Sequence, residues 1–237
     1  MKGNLTDIVK DLLYPPRCAV CDDILAVGEE CICASCAKKT VYIKEPVCLK
    51  CGKSIKGDEE YCEDCQKRPH VFVQGKAVFD YGSISDSLAR FKYKGRTEYA
   101  KFYAREIVRQ RGDFIRAVSP DAFVPVPIHV LKLMQRGYNQ SEIISSELSC
   151  LTKIPTKTDL IIRSKRTDPL KNLSARERQK NLKNAFKIGE NDVKLKTIVI
   201  IDDIYTTGST IDEMASVLKS YFDVDVYFIT VTIGRGV

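Results

Sequence analysis

The chain has 237 residues, of which 44% are apolar and 29% charged, and its formal net charge is +7. This apolar share is too high for a disordered chain, and the length suits one ordinary domain with a small additional module. The longest apolar runs, such as Ile198–Ile201, have the length of a strand, whereas a transmembrane helix needs about 20 residues. The start of the chain lacks the apolar centre of a signal peptide, so we expect a cytoplasmic protein without a transmembrane segment.

An N-terminal helix is predicted over residues 1–16. Its apolar positions repeat at helical spacing: Leu5, Ile8, Val9, Leu12 and Leu13. Pro15–Pro16 ends the pattern. We expect this helix to pack on the rest of the protein, because it carries too few basic residues to favour a position on a membrane surface.

Cysteine is the residue type with the most unusual frequency, and nine of the ten cysteines lie in the segment from Cys18 to Cys65. Eight of the nine form four Cys-x-x-Cys pairs: Cys18/Cys21, Cys33/Cys36, Cys48/Cys51 and Cys62/Cys65. Two residues between the thiolates let a tight turn direct both sulfurs at one metal ion, whereas a disulfide between such close neighbours is strained. Because redox motifs do not come four in a row, we expect two four-cysteine zinc sites.

Sequential pairing assigns the first four of these cysteines to one zinc ion and the last four to the other. Interleaved pairing, first with third and second with fourth, stays open, and Cys31 is an alternative to Cys33 as a ligand. Residues 17–68 contain too few aliphatic side chains to build a core, so zinc is expected to stabilise this module. Eight bound thiolates and two Zn²⁺ ions lower the net charge to about +3, which does not by itself indicate a nucleic-acid partner.

After Pro69 the pattern changes to alternating strands and helices, which predicts an α/β domain with a parallel sheet flanked by helices over residues 69–237. The predicted strands are Val71–Tyr81, Ala122–Pro127, Thr197–Ile201 and Val224–Ile233. The predicted helices are Ser85–Gln110 (interrupted at Gly95), Ser141–Leu151 and Ser209–Tyr221.

The stretch from Ile198 to Thr210 is the most informative part of the sequence. A buried strand delivers Asp202 and Asp203 at its carboxyl end, where α/β sheets bind ligands. The turn that follows is rich in hydroxyl groups and leads into a helix: Thr206, Thr207, Gly208, Ser209 and Thr210. Such a turn can surround a phosphate with N–H groups and the positive end of the helix, so the stretch predicts a ribose 5-phosphate site. The plainer alternative, a helix cap, needs one hydroxyl and no acid pair.

This stretch closely resembles the signature of type I phosphoribosyltransferases, which bind phosphoribosyl pyrophosphate. The resemblance implies that Asp202 and Asp203 hold the ribose hydroxyls and that Thr206–Thr210 holds the 5-phosphate. It also implies a pyrophosphate loop after Val124–Pro127, with Mg²⁺ accompanying the pyrophosphate. Phosphoribosyl transfer needs no nucleophilic side chain, and no hood that would present an acceptor base is recognisable. We therefore assign no catalytic residue, and catalysis is left open.

Further segments resemble the ComF family: Phe91–Arg96, Arg136–Gln140, Leu173–Arg178, Asn181–Leu182 and Ala185–Phe186. The leading cysteine module is similar to the double zinc ribbon of that family, and the matching parts follow one another in the expected order. The resemblance implies a cytoplasmic, phosphoribosyltransferase-like protein of natural competence. Its implied partners are incoming single-stranded DNA and other competence proteins.

Two basic stretches underlie the nucleic-acid hypothesis. Residues 90–111 hold eight basic and two acidic side chains with five aromatic rings between them, and residues 163–183 again hold eight basic and two acidic side chains. Cations follow phosphates, and exposed rings stack on unpaired bases. The candidate DNA-binding residues are Lys92, Tyr93, Lys94, Arg96, Arg136, Arg176 and Arg178. The alternative for the first stretch is an amphipathic helix with aromatic rings in the core and solvated cations.

Two functions follow from these observations. In the first, the protein binds phosphoribosyl pyrophosphate and single-stranded DNA. In the second, it is an active phosphoribosyltransferase that acts on an unidentified base. A third and weaker interpretation makes the zinc module only a docking site for another protein.

Overall fold

The computed structural model describes residues 14–164, 184–189 and 194–234. Residues 1–13 of the predicted N-terminal helix lie outside these ranges, and so do Arg176, Arg178 and most of the second basic stretch. Residues 14–16 are described and are not helical. In the described part of the chain, no helix is both long enough and apolar enough to cross a membrane.

The described residues form six strands: β1 (Gly75–Asp80), β2 (Ala122–Pro125), β3 (Ile161–Arg163), β4 (Phe186–Ile188), β5 (Thr197–Tyr205) and β6 (Asp225–Ile233). Four of them form a parallel sheet with strand order β1-β6-β5-β2, and β3 and β4 form a separate antiparallel pair. The central strand β5 contains Ile198–Ile201, whose side chains alternate between two fully buried faces. Burial on both faces explains why this strand is a continuous apolar run.

The same ranges form seven helices: α1 (Ala34–Lys39), α2 (Glu63–Lys67), α3 (Tyr81–Tyr93), α4 (Tyr99–Val118), α5 (Val130–Arg136), α6 (Gln140–Thr152) and α7 (Ser209–Tyr221). Helices α3, α4 and α6 contribute to the apolar cluster on one face of the sheet. Helix α7 and the second half of the cysteine module contribute to the cluster on the other face. The predicted α/β class, a parallel sheet flanked by helices, is confirmed.

Several predicted boundaries are wrong, for local reasons. The strand predicted from Val71 begins only at Gly75, whose N–H donates to Lys50 O of the cysteine module at 2.8 Å. The strand predicted to end at Ile201 continues to Tyr205, so both acids lie inside β5. The long interrupted helix is two separate helices, α3 and α4. Periodicity does not predict β3 and β4, because three residues are too few to show a period.

The two halves of the cysteine module share one backbone plan. In each half, the N–H of the first cysteine donates to the carbonyl of the residue five positions later, at 2.8 Å. The residue after the second cysteine has a positive φ in both halves, +70° at Asp22 and +75° at Gly52. At Gly52 a Cβ would lie 2.7 Å from Gly75 O, so this position must also lack a side chain. The first half contacts the α3/α4 side of the sheet through Ala19, and the second half contacts the α7 side.

Candidate functional site

Each half of the cysteine module brings four sulfur atoms together. The two groups are Cys18, Cys21, Cys33 and Cys36, and Cys48, Cys51, Cys62 and Cys65. Within each group, all sulfur atoms lie within 4.8 Å of one another. Sequential pairing is therefore the arrangement in the structure. Interleaved pairing is wrong, and Cys31 lies outside both groups.

The spacing of these sulfur atoms fits tetrahedral zinc. A Zn–S bond of about 2.3 Å places two ligand sulfurs about 3.8 Å apart. The sulfurs of Cys21 and Cys33 are 3.9 Å apart, and those of Cys51 and Cys62 are 3.6 Å apart. Two backbone N–H groups donate to the Cys18 sulfur at 3.4 Å, which stabilises a thiolate. No cysteine forms a disulfide.

An acidic pair, Asp202 and Asp203, lies near the carboxyl end of β5. Asp202 Oδ1 accepts hydrogen bonds from Ser141 Oγ at 3.0 Å and from the N–H of Asp203 at 2.9 Å. Burial, together with the neighbouring Asp203 carboxylate, raises the pKa of Asp202 to about 7. Asp202 therefore changes charge near neutral pH, and in its ionised form it accepts hydrogen bonds from hydroxyl groups.

A lysine neutralises the second acid of the pair. Lys92 Nζ, near the end of α3, lies 2.5 Å from Asp203 Oδ2, and both side chains are largely buried. Burial acts to lower the pKa of Lys92, but the attraction of Asp203 outweighs it and raises the pKa, so the lysine stays charged. Lys92 was a candidate for DNA contact in the sequence, and the structure places it at the acidic pair.

Lys92 and three further cations interact electrostatically with one another and form what we call the cation cluster: Lys92, Lys132, Arg136 and Arg163. Burial lowers the pKa of Lys132, and the positive charges of Arg163, Arg136 and Lys92 lower it further. Burial also lowers the pKa of Arg163, while Asp202 acts to raise it. Two of these four cations, Lys92 and Arg163, interact with the acidic pair, and the cluster as a whole is a charge arrangement suited to a ligand with several negative charges. Sequence reasoning missed Lys132, because nothing in the local pattern distinguishes it from a solvated helix lysine.

Residues 206–210, the 206–210 loop, lead from the end of β5 into the first turn of α7. Gly208 has φ +79°, and a Cβ there would lie 2.5 Å from Tyr205 Oη. The hydroxyl oxygens of Thr207 and Ser209 are 3.0 Å apart. The loop and Asp202 line one shallow depression. Gly208 is the N-cap of α7 and has no side chain, so the N-cap residue itself does not cap this helix through a hydroxyl group.

Most cations of the first basic stretch attach the cysteine module to the sheet. Arg96, a candidate for DNA contact, donates to Asp22 Oδ2 at 3.0 Å, and Tyr99 Oη donates to Asp22 Oδ1 at 2.5 Å. Four more arginines of α3 and α4 make similar contacts: Arg90 with Val20 O, Arg105 with Glu30, Arg109 with Tyr42, and Arg111 with Ile43 O. This part of the basic stretch is therefore an interface within the chain.

The aromatic rings of the same stretch divide into a buried set and one exposed ring. The buried rings are Phe91, Tyr99, Phe102 and Tyr103, as the amphipathic-helix alternative predicts. Tyr93 is 60% exposed, and the guanidinium of Arg136 lies 5.0 Å from its ring centroid. Lys94 is exposed beside it. Tyr93, Lys94 and Arg136 form the Tyr93 surface, the described part of the candidate DNA site that stays accessible.

Comparison with protein families agrees with this architecture. The double zinc ribbon domain matches residues 9–66, and the phosphoribosyl transferase domain matches residues 113–225. The protein therefore belongs to the class that joins a double zinc ribbon to a phosphoribosyltransferase fold.

Curated relatives narrow the class to one family. Competence protein F of Haemophilus influenzae is 30% identical over 86% of this chain and 90% of its own length. DNA utilization protein YhgH of Escherichia coli is 32% identical over 87% of this chain and 92% of its own. Competence protein ComFC of Bacillus subtilis is 26% identical over 77% of this chain and 75% of its own. The chain belongs to the ComF family of competence proteins.

Proposed function

We propose that this protein binds phosphoribosyl pyrophosphate with Mg²⁺ and handles single-stranded DNA during DNA uptake, in the cytoplasm and together with other competence proteins. One observation carries the first half of the proposal. The acidic pair, the 206–210 loop and Lys92 of the cation cluster lie together at the carboxyl end of β5 in the parallel sheet. Ligands of α/β folds bind at this edge.

Each part of the site matches one part of the ligand. The ionised carboxylates of Asp202 and Asp203 accept hydrogen bonds from the two ribose hydroxyls. The N–H groups and hydroxyls of the 206–210 loop bind the 5-phosphate. The cation cluster binds the pyrophosphate, because its four positive charges oppose the densest negative charge of the ligand.

Magnesium fits this donor set. Mg²⁺ prefers hard oxygen ligands and is usually held by one or two carboxylates together with phosphate oxygens, which the acidic pair and the pyrophosphate supply. When bound, Mg²⁺ would neutralise part of the negative charge of the pyrophosphate. Lys92 already pairs with Asp203, so its ammonium group lies where it can pass from the acid to a phosphate oxygen as the ligand enters.

The Tyr93 surface supports the DNA half of the proposal. An exposed ring flanked by Lys94 and Arg136 offers one stacking platform and two contacts for phosphates. Stacking on such a ring contributes about 1–3 kcal/mol per base, and it does not depend on sequence. The names of two relatives, a DNA utilization protein and a competence protein, agree with a ligand of this kind. Arg176 and Arg178 stay candidate contacts outside the described residues.

The cation cluster also favours a second candidate function, active phosphoribosyl transfer. Positive charges beside the ribose site would stabilise pyrophosphate as it leaves. Phosphoribosyl transfer depends mainly on positioning and charge stabilisation. Release of pyrophosphate from phosphoribosyl pyrophosphate on addition of a base tests this function.

Binding of labelled single-stranded DNA to the zinc-loaded protein tests the main proposal. The assay runs across a salt series, with and without Mg²⁺ and phosphoribosyl pyrophosphate. We expect tight binding whose affinity falls steeply with salt, because each neutralised phosphate releases counterions. A shift on addition of the small ligand would show that the two sites are coupled. Absence of DNA binding at low salt would contradict the DNA half and favour the transferase.

A further inference from the structure

His70 joins the zinc module to the helix that follows the 206–210 loop. Its side chain is only 3% exposed, and its Nδ1 lies 2.7 Å from Asp212 Oδ2. The other oxygen of Asp212 accepts a hydrogen bond from the N–H of Val71 at 2.9 Å. Because a carboxylate only accepts, Nδ1 carries the hydrogen. Both oxygens of Asp212, in the first turn of α7, are thus held by the segment that leaves the second zinc ribbon.

The His70 ring also packs directly on the loop. A Cβ at Gly208 would lie 3.0 Å from His70 Cε1 and 2.5 Å from Tyr205 Oη, so both rings occupy the space that a side chain at this position would need. Gly208 is the residue whose left-handed conformation turns the chain from β5 into α7. The position of the His70 ring therefore restricts the conformation of the loop.

A short chain of contacts connects His70 to the second cysteine group. Helix α2 contains Cys65 and ends three residues before His70. The His70 ring stacks on Phe72 with centroids 4.7 Å apart, and the ammonium group of Lys50, next to Cys51, lies 5.3 Å from the Phe72 ring centroid. Cys48, Cys51 and Cys62 are buried in one apolar cluster with Phe72, Tyr205 and Ile211. A continuous set of packed side chains therefore joins the second cysteine group to the loop.

We propose that His70 is a positioning residue: through Asp212 and Gly208 it holds the 206–210 loop in the conformation that binds the 5-phosphate, and it makes this conformation depend on the second zinc ribbon. The identity of the ligand in this inference rests on the proposed function, whereas the contact between His70 and Asp212 does not. Among the described groups, none hydrogen-bonds His70 Nε2, so the bond to Asp212 is the polar contact through which the ring acts.

Hydrogen exchange of the zinc-loaded protein without ligand tests the structural part. We expect His70→Ala and Asp212→Asn each to speed exchange in the 206–210 loop, and the double variant to add little, because both remove one contact. Glu213→Gln, on the same helix, is the matched control and should leave exchange unchanged. Equal exchange in wild type and His70→Ala overturns the inference, whatever the ligand.

Calorimetry tests the consequence for binding. We expect both variants to weaken phosphoribosyl pyrophosphate and ribose 5-phosphate about tenfold, while each still binds its zinc. Inorganic pyrophosphate, which lacks the 5-phosphate, should bind to the wild type and to the variants with equal affinity. If the variants lose affinity for pyrophosphate as strongly as for the other ligands, the substitutions damage the whole site, and the positioning role is overturned. If wild type binds no phosphoribosyl pyrophosphate while the exchange effect persists, the proposed function fails and the loop contact stands.

Discussion

The Lys92 ammonium nitrogen lies 2.5 Å from an Asp203 carboxylate oxygen, and this contact joins helix α3 to the end of strand β5. The lysine belongs to a stretch whose remaining cations mostly attach the zinc module to the sheet. Helix α3 therefore contacts the cysteine module through Arg90 and the acidic pair through Lys92.

Removal of Lys92 should destabilise the protein, because Asp203 would be left buried without a counter-charge. We expect Lys92→Met to lower the free energy of unfolding by about 2 kcal/mol, measured by denaturant titration. The double variant Lys92→Met with Asp203→Asn should recover most of this loss, since no unpaired charge remains. If the double variant is no more stable than Lys92→Met, the ion pair does not stabilise the fold.

Replacement of the acidic pair should abolish binding of phosphoribosyl pyrophosphate. Hydrogen bonds to charged groups contribute about 1.5–3 kcal/mol each, so loss of two of them weakens binding at least about 100-fold. Asp202→Ala with Asp203→Ala removes both acceptors, and Asp202→Asn with Asp203→Asn keeps the side-chain volume. Calorimetry measures the affinity, and circular dichroism checks the fold. Unchanged affinity in the folded variants would contradict the site assignment.

Binding of this ligand should also depend on pH through Asp202. Its pKa of about 7 in the free protein means that the carboxyl group is neutral below that pH and ionised above it. The ionised form accepts the hydroxyl hydrogens of the ribose, so affinity should fall as pH drops from about 8 to about 6, by up to about tenfold per unit below the pKa. Calorimetry in two buffers should detect proton release on binding at neutral pH. Asp202→Asn corrects for titration of the ligand itself, and an identical pH profile in this variant would contradict the role of Asp202.

The two cysteine groups should bind zinc independently. We expect about two ions per chain by metal analysis, and one ion each in Cys33→Ser with Cys36→Ser and in Cys62→Ser with Cys65→Ser. Loss of the second ion should also loosen the 206–210 loop in hydrogen exchange, because the second group packs in the same cluster as Tyr205. Loss of the first ion should loosen the contact of Asp22 with Tyr99 instead. One ion in the wild type would mean that one cysteine group is free.

Binding of single-stranded DNA should depend on the Tyr93 surface and not on the arginines that contact the cysteine module. Tyr93→Ala should weaken binding by the value of one stacking contact, about 1–3 kcal/mol. Lys94→Ala and Arg136→Ala should each reduce the salt slope by about one. Arg105→Ala is the matched control, because Arg105 pairs with Glu30 within the chain. Equal losses in Arg105→Ala and Arg136→Ala would contradict this assignment.

The sequence predicts the sheet class and the helix Ser209–Tyr221 with its actual bounds, because continuous apolar strands and regular amphipathic spacing are local signals. The cysteine groups follow from Cys-x-x-Cys spacing in the same way. The partners of Lys92 and Arg96 could not be predicted, because the local sequence around a cation is the same whether its side chain contacts solvent, DNA or a distant aspartate. His70 and Asp212 are 142 residues apart and carry no motif, so only the fold brings them together.

The strand order has a consequence for the time course of folding. Within the four-stranded sheet β1 pairs with β6, and β6 pairs with β5, so this sheet cannot close until β6 has left the ribosome. The second cysteine group is synthesised long before Tyr205 and Ile211, which share its apolar cluster. We therefore expect the thiols of this group to be open to solvent during synthesis and to bind zinc before the group packs against the sheet. In a cell that is short of zinc at that stage, we expect chains whose sheet has formed but whose cysteine groups hold no metal.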